Sequence, residues 1–226
     1  SFCYKLQSPA NAKDVQRLTG RIAALNRFIS KSSEKCKEFY DILRKNKKFE
    51  WTEKHENALQ ALKEYMSSAP ALAKPEKGDV LSLYLAVSST AVSAVLVKDH
   101  EGTQYPIYYV SKSLLDAESR YSHLEKLILA LIMASTKLRH YFETHTIVVR
   151  TNFPIKNVLR KPEMSGRMAK WAVKLSAHDI RYEPRTAIKS QALADFVADF
   201  SSDLQKEAEL EVQQLDETKD PWILHT

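Results

Sequence analysis

The chain is 226 residues long, 44% hydrophobic and 27% charged, with 34 Lys+Arg against 28 Asp+Glu and a net charge of +6. At about 100–200 residues per domain it suits one full domain and a smaller unit, and its apolar share excludes disorder throughout. Two cysteines, Cys3 and Cys36, exclude a disulfide scaffold and form no metal pattern. The longest uncharged apolar-rich stretch, Val80 to Val97, is broken by Ser82, Ser88, Ser89, Thr90 and Ser93 and alternates as strands do. No membrane partner is therefore expected. Ser1-Phe2-Cys3-Tyr4-Lys5 has no apolar core of leader length, so the expected compartment is intracellular, cytoplasmic or nuclear.

The charge is unevenly spread. Residues 201–226 carry seven carboxylates against Lys206 and Lys219, a net of −5, which leaves +11 on residues 1–200. Residues 1–48 alone hold twelve Lys/Arg against Asp14, Glu34, Glu38 and Asp41. A basic body of this size favours a polyanion such as nucleic acid, although a solvated lysine-rich surface has the same composition.

Up to Gly78 the apolar period is helical. Val15, Leu18, Ile22, Leu25, Phe28 and Ile29 form one face of a helix over 12–30, and a second helix is expected over Glu34 to Leu43. Thr52 is the expected N-cap of a third, with Leu59, Leu62, Tyr65 and Met66 inward, ending before Pro70. Residues 75–78 read as a linker. Beyond it the period becomes two, with strands over 81–86, 91–97 and 106–110 and a turn at Asp99–Gly102. A long helix over 121–142, a strand over 146–151, helices over 154–160 and 165–176, a strand over 179–183 and a helix over 189–200 complete the pattern. The order βββαβαβα predicts an α/β fold, a mixed five-stranded sheet with flanking helices. The expected units are a helical segment (1–75), the sheet domain (80–200) and an acidic tail or linker (201–226).

Certain runs resemble a known family. Phe49-Glu50-Trp51-Thr52-Glu53 followed by Ala58–Lys63 is similar to the end of a retrotransposon reverse transcriptase. Pro106–Leu114, Tyr121–Lys126, Lys137–Phe142 and Ala192–Phe196 resemble the ribonuclease H domain that follows it, in order and spacing. The likeness covers residues 12–200 and is to Gypsy-type long-terminal-repeat polyproteins, nearest the plant Tat-like lineage. It implies a ribonuclease H-like fold preceded by the thumb or connection segment of the polymerase, without its catalytic palm.

An active enzyme of that family gathers four carboxylates around two divalent ions about 3.5–4 Å apart, and hard Mg²⁺ requires oxygen ligands. Carried over position by position, the first aspartate becomes Ala86, the glutamate remains Glu125, the strand-four aspartate becomes Asn152, and the last remains Asp195. The resemblance thus implies a catalytically inactive domain with no resident cofactor. Glu125 and Asp195 would be relics holding at most one Mg²⁺ weakly. As residues alone, both read as solvated helix carboxylates, Glu125 near the positive end of a helix dipole, and Asn152 as a strand-end cap.

Candidate phosphate contacts are Arg17, Arg21, Arg27, Arg139, Lys170 and Trp171, where basic and aromatic residues interleave, although Trp171 also suits core packing. His123, His140, His145 and His178 show no ligand spacing and read as surface or helix-end residues. The expected partners are RNA–DNA hybrid or other nucleic acid and the remaining reverse-transcriptase domains. Trp222–Thr226 resembles the opening strand of a second ribonuclease H domain. Two other readings stay open: a metal-dependent hybrid ribonuclease rebuilt on Glu125, Asp195 and Asn152, and a host-adopted protein-interaction module.

Overall fold

The computed structural model describes residues 7–44, 49–69, 71–160, 166–185, 188 and 190–198. The acidic tail, the Trp222–Thr226 run, Cys3, Pro70, Ser165, Lys189 and Phe200 lie outside the described residues.

The helical unit opens with α1 (Ala12–Leu25), whose N-cap Asn11 accepts a hydrogen bond from the Asp14 N–H at 3.0 Å. The helix does not reach residue 30. A 3-10 turn (Asn26–Phe28) tightens its end, and Lys31, at φ 53°, turns the chain into α2 (Ser32–Lys35) and α3 (Lys37–Arg44). The reversal buries Ile29, and the hydroxyl of Tyr65 accepts the Ser30 N–H at 2.9 Å. α4 (Glu53–Ser68) starts at the expected Thr52 cap. Leu18, Ile22, Ile29, Phe39, Leu59 and Leu62 form this unit's core.

Three antiparallel strands follow: β1 (Val80–Val87), β2 (Ala91–His100) and β3 (Thr103–Ser113). At the β2–β3 turn Glu101 and Gly102 both have positive φ, and Asp99 Oδ1 accepts the Gly102 N–H at 3.1 Å. Pro106 sits opposite a bulge at Leu96/Val97, on the edge strand where its missing N–H is tolerated. After α5 (Asp116–Ser119), which the sequence pattern does not announce, come α6 (His123–Lys137) and α7 (Arg139–Thr144). The single helix expected over 121–142 is thus broken at Leu138, whose ψ of 27° ends α6, and both Leu138 and Phe142 are buried in the core.

β4 (Thr146–Arg150) runs parallel to β1, and β5 (Ile180–Glu183) parallel to β4, giving the order β3-β2-β1-β4-β5. Between them lie α8 (Ile155–Val158) and α9 (Gly166–Ser176), and α10 (Gln191–Ala198) closes the described chain. The sheet is covered on both faces, so β1 is buried throughout its interior. Leu81, Leu83, Leu85 and Val87 pack with α6 on one face. Tyr84 and Ala86, on the other, pack with Val95, Tyr109 and the α10 residues Leu193 and Phe196.

The helical unit rests against the β3 side of the sheet. Arg27 stacks over the Tyr108 ring at 5.5 Å, the Ser33 N–H donates to Ser111 Oγ at 3.2 Å, and Ser88 Oγ donates to the Glu34 carboxylate.

Candidate functional site

Ala86 stands one residue before the end of β1, and the parallel register pairs Tyr84 with Arg150. Two residues further on, Ala86 and Asn152 therefore lie at the same end of adjacent strands. Ala86 is 4% exposed and offers only a methyl group, beside a cavity of about 190 Å³ that Lys31, Glu34, Ser88 and Ser93 also line.

Asn152 is exposed, and its side-chain oxygen accepts the Arg185 N–H at 2.9 Å. Arg185 Nη2 donates in turn to the Leu85 carbonyl at 3.1 Å. Burial draws this guanidinium below its ordinary pKa, opposed by Tyr84. The sequence reading overlooked Arg185, because nothing local says that a side chain following Pro184 returns across two strands.

Glu125 occupies the first turn of α6. Its Oε2 accepts the Ser122 N–H at 3.1 Å while Ser122 Oγ accepts the Glu125 N–H at 3.2 Å, a reciprocal capping box. Its Oε1 accepts from Arg167 Nη2 at 2.7 Å, so both carboxylate oxygens are engaged. The spacing Ser122-His123-Leu124-Glu125 carried this signal in the sequence. The Arg167 guanidinium lies 4.0 Å from the centre of the Tyr121 ring, and bonding to Glu125 raises its pKa.

Asp195 is exposed on α10. Its charge adds to burial in pushing the phenols of Tyr65 and Tyr109 up, so it lies near α4 and β3.

These residues do not fit a pair of divalent ions. One of the four positions is a methyl, one is an amide bonded to backbone, and Glu125 is spent on a helix cap and an arginine. Among the described residues no three His, Cys, Asp or Glu side chains come together as a metal site.

The six candidate phosphate contacts are spread over several elements. Arg17 and Arg21 are both exposed one turn apart on α1, with Arg17 3.3 Å from Asp14. Arg27 is exposed and lies over the Phe28 and Tyr108 rings. Arg139 pairs with Glu143 at 2.5 Å on α7, and Lys170 is exposed on α9. Trp171 is half-buried against the main core, its ring 6.2 Å from that of Tyr121. His123 is a helix-end residue, the first of α6, and it is buried at 3% exposure with its ring 5.2 Å from Phe153. His178 is half-buried, 5.5 Å from the Phe142 ring, whereas His140 is exposed.

A mixed sheet of this order, with α6 on one face and α10 on the other, has the ribonuclease H-like fold. Residues 51–149 match the family described as the RNase H-like domain found in reverse transcriptase. The chain is 26% identical over 212 residues to the Tf2-3 and Tf2-4 transposon polyproteins of Schizosaccharomyces pombe, a match covering 90% of this chain. It spans 16% of the length of those relatives. Among solved structures, the foamy viral protease-reverse transcriptase in complex with RNA/DNA hybrid superposes with a TM-score of 0.69 at 20% identity, covering 84% of this chain and 27% of that one. The same viral protein in complex with dsDNA gives 0.70 at 20% identity, covering 83% and 41%. The chain is thus similar over residues 51–149 to the RNase H-like domain found in reverse transcriptase, and over most of its length to part of these transposon polyproteins.

Proposed function

We propose that this chain is the thumb or connection end and the RNase H-like part of a Gypsy-type reverse transcriptase of the plant Tat-like lineage. It grips RNA–DNA hybrid or duplex through the phosphate backbone and does not cut it. Its remaining partners are the other polymerase domains, it needs no resident cofactor, and it works in the cytoplasm or nucleus. The observation that carries the reading is the state of three of the four ligand positions: the Ala86 side chain has no oxygen to give, and Glu125 and Asn152 are bonded within the protein. The net charge of +11 on residues 1–200 and the nucleic acids named with the foamy viral structures support a backbone-binding role.

Phosphate contacts carry no base information, so binding is expected without sequence preference. Each neutralised phosphate contributes about −0.9 to the slope of log K against log salt, and about six contacts give a slope near −5. Fluorescence anisotropy with a labelled hybrid measures this, and the same hybrid incubated with Mg²⁺ or Mn²⁺ tests cleavage. A steep slope without cleavage is expected. Cleavage abolished by Glu125→Gln would establish the metal-dependent ribonuclease instead, and a flat salt response would favour a protein-interaction module.

A further inference from the structure

The end of β1 holds a cation where an active ribonuclease H gathers anions. Arg185 follows Pro184, which ends the β5 ladder, and its backbone N–H is fixed by Asn152 Oδ1 at 2.9 Å. Its guanidinium reaches back to Leu85, the residue just before Ala86, and donates to that carbonyl at 3.1 Å. A single residue therefore touches the side chain at one lost aspartate position and the backbone beside the other. Leu85 lies on the inner strand of a sheet covered on both faces, and Arg185 itself is half-buried with its Nε shut off from solvent, so this charge is only partly screened. Arginine stays protonated at any working pH, and its planar fork suits carboxylate and carbonyl oxygens.

We propose that Arg185 is the resident cation of this site, a fixed guanidinium that excludes divalent metal and clasps the ends of β1 and β4 to the end of β5. A carboxylate restored at position 86 or 152 would then pair with Arg185 instead of gathering Mg²⁺. The inference rests on reading positions 86 and 152 as lost ligands. Hybrid binding through the basic surface does not depend on it, so the two can fail separately.

The test uses Mn²⁺ alone, followed by the electron paramagnetic resonance signal of the free ion. The chain with Ala86→Asp and Asn152→Asp is expected to leave that signal as the unmodified chain does. Adding Arg185→Gln is expected to tighten Mn²⁺ binding by about tenfold or more, the scale on which a neighbour of a metal ligand acts. Binding by both variants, or by neither, overturns the proposal. A second arm keeps to the exposed position 152, where folding is not at risk. Asn152→Asp should raise the melting temperature with Arg185 present and fail to do so in the Arg185→Gln background. An equal effect in both backgrounds also overturns it.

Discussion

Glu125 is the residue at which a structural role and a metal-binding role give opposite results. Replacing it with alanine removes the acceptor of the Ser122 N–H and the partner of Arg167. The Ser122 cap itself survives, and the lost return bond of the capping box costs about 0.5–1.5 kcal/mol. The ion pair, whose side chains are 41% and 25% exposed, adds only about 0.2–1 kcal/mol because solvent screens it. Alanine's better helix propensity returns a few tenths of a kcal/mol, for a net loss of about 1–2 kcal/mol. At about 2–4 °C per kcal/mol for a chain of this size, the melting temperature should fall by about 2–8 °C. Glutamine at the same position keeps the capping oxygen and loses only the charge, so Glu125→Gln should lie within about 1 kcal/mol of the unmodified chain. Thermal melts followed by circular dichroism compare the three proteins. If glutamine destabilises as much as alanine, or alanine not at all, the capping argument is wrong.

The remaining expectations concern docking and pH. Arg27→Ala should cost about 0.5–1 kcal/mol through the lost stacking on Tyr108 and leave the salt slope of hybrid binding unchanged. Arg21→Ala should instead reduce that slope by about one with little change in melting temperature; the reverse pattern would mean that Arg27 is the phosphate contact. The Glu76 N–H at 2.7 Å, and then Lys98 at 2.9 Å, hold the Asp79 carboxyl below its ordinary value of 3.8. Because the folded value is depressed, this contribution is present above the ordinary value and is lost as pH falls through the depressed one. Asp79→Asn should therefore lose less melting temperature than the unmodified chain between about pH 5 and pH 3; an identical decline in both would refute the assignment.

The order of elements was legible because period is a local property: a step of 3.6 before Gly78 and of two after it already separates the helical unit from the sheet. The absence of charge at positions 86 and 152 was equally legible, since alanine and asparagine carry none in any fold. Ser122 and Glu125, three residues apart, also carried a capping-box signal, which the reading of one helix over 121–142 passed over. What required the tertiary structure was contact between distant segments. The continuous helix expected over 121–142 breaks at Leu138, whose side chain is buried with that of Phe142, and His123 turns inward against Phe153. Arg27, read from the sequence as a phosphate contact, also lies over an aromatic ring of β3. Arg185 meets Leu85 across 100 residues of chain, and neither segment alone contains any pattern naming the other. Periodicity and caps are decided within a few turns of chain, whereas a half-buried charge acquires its distant neighbours only when the sheet assembles.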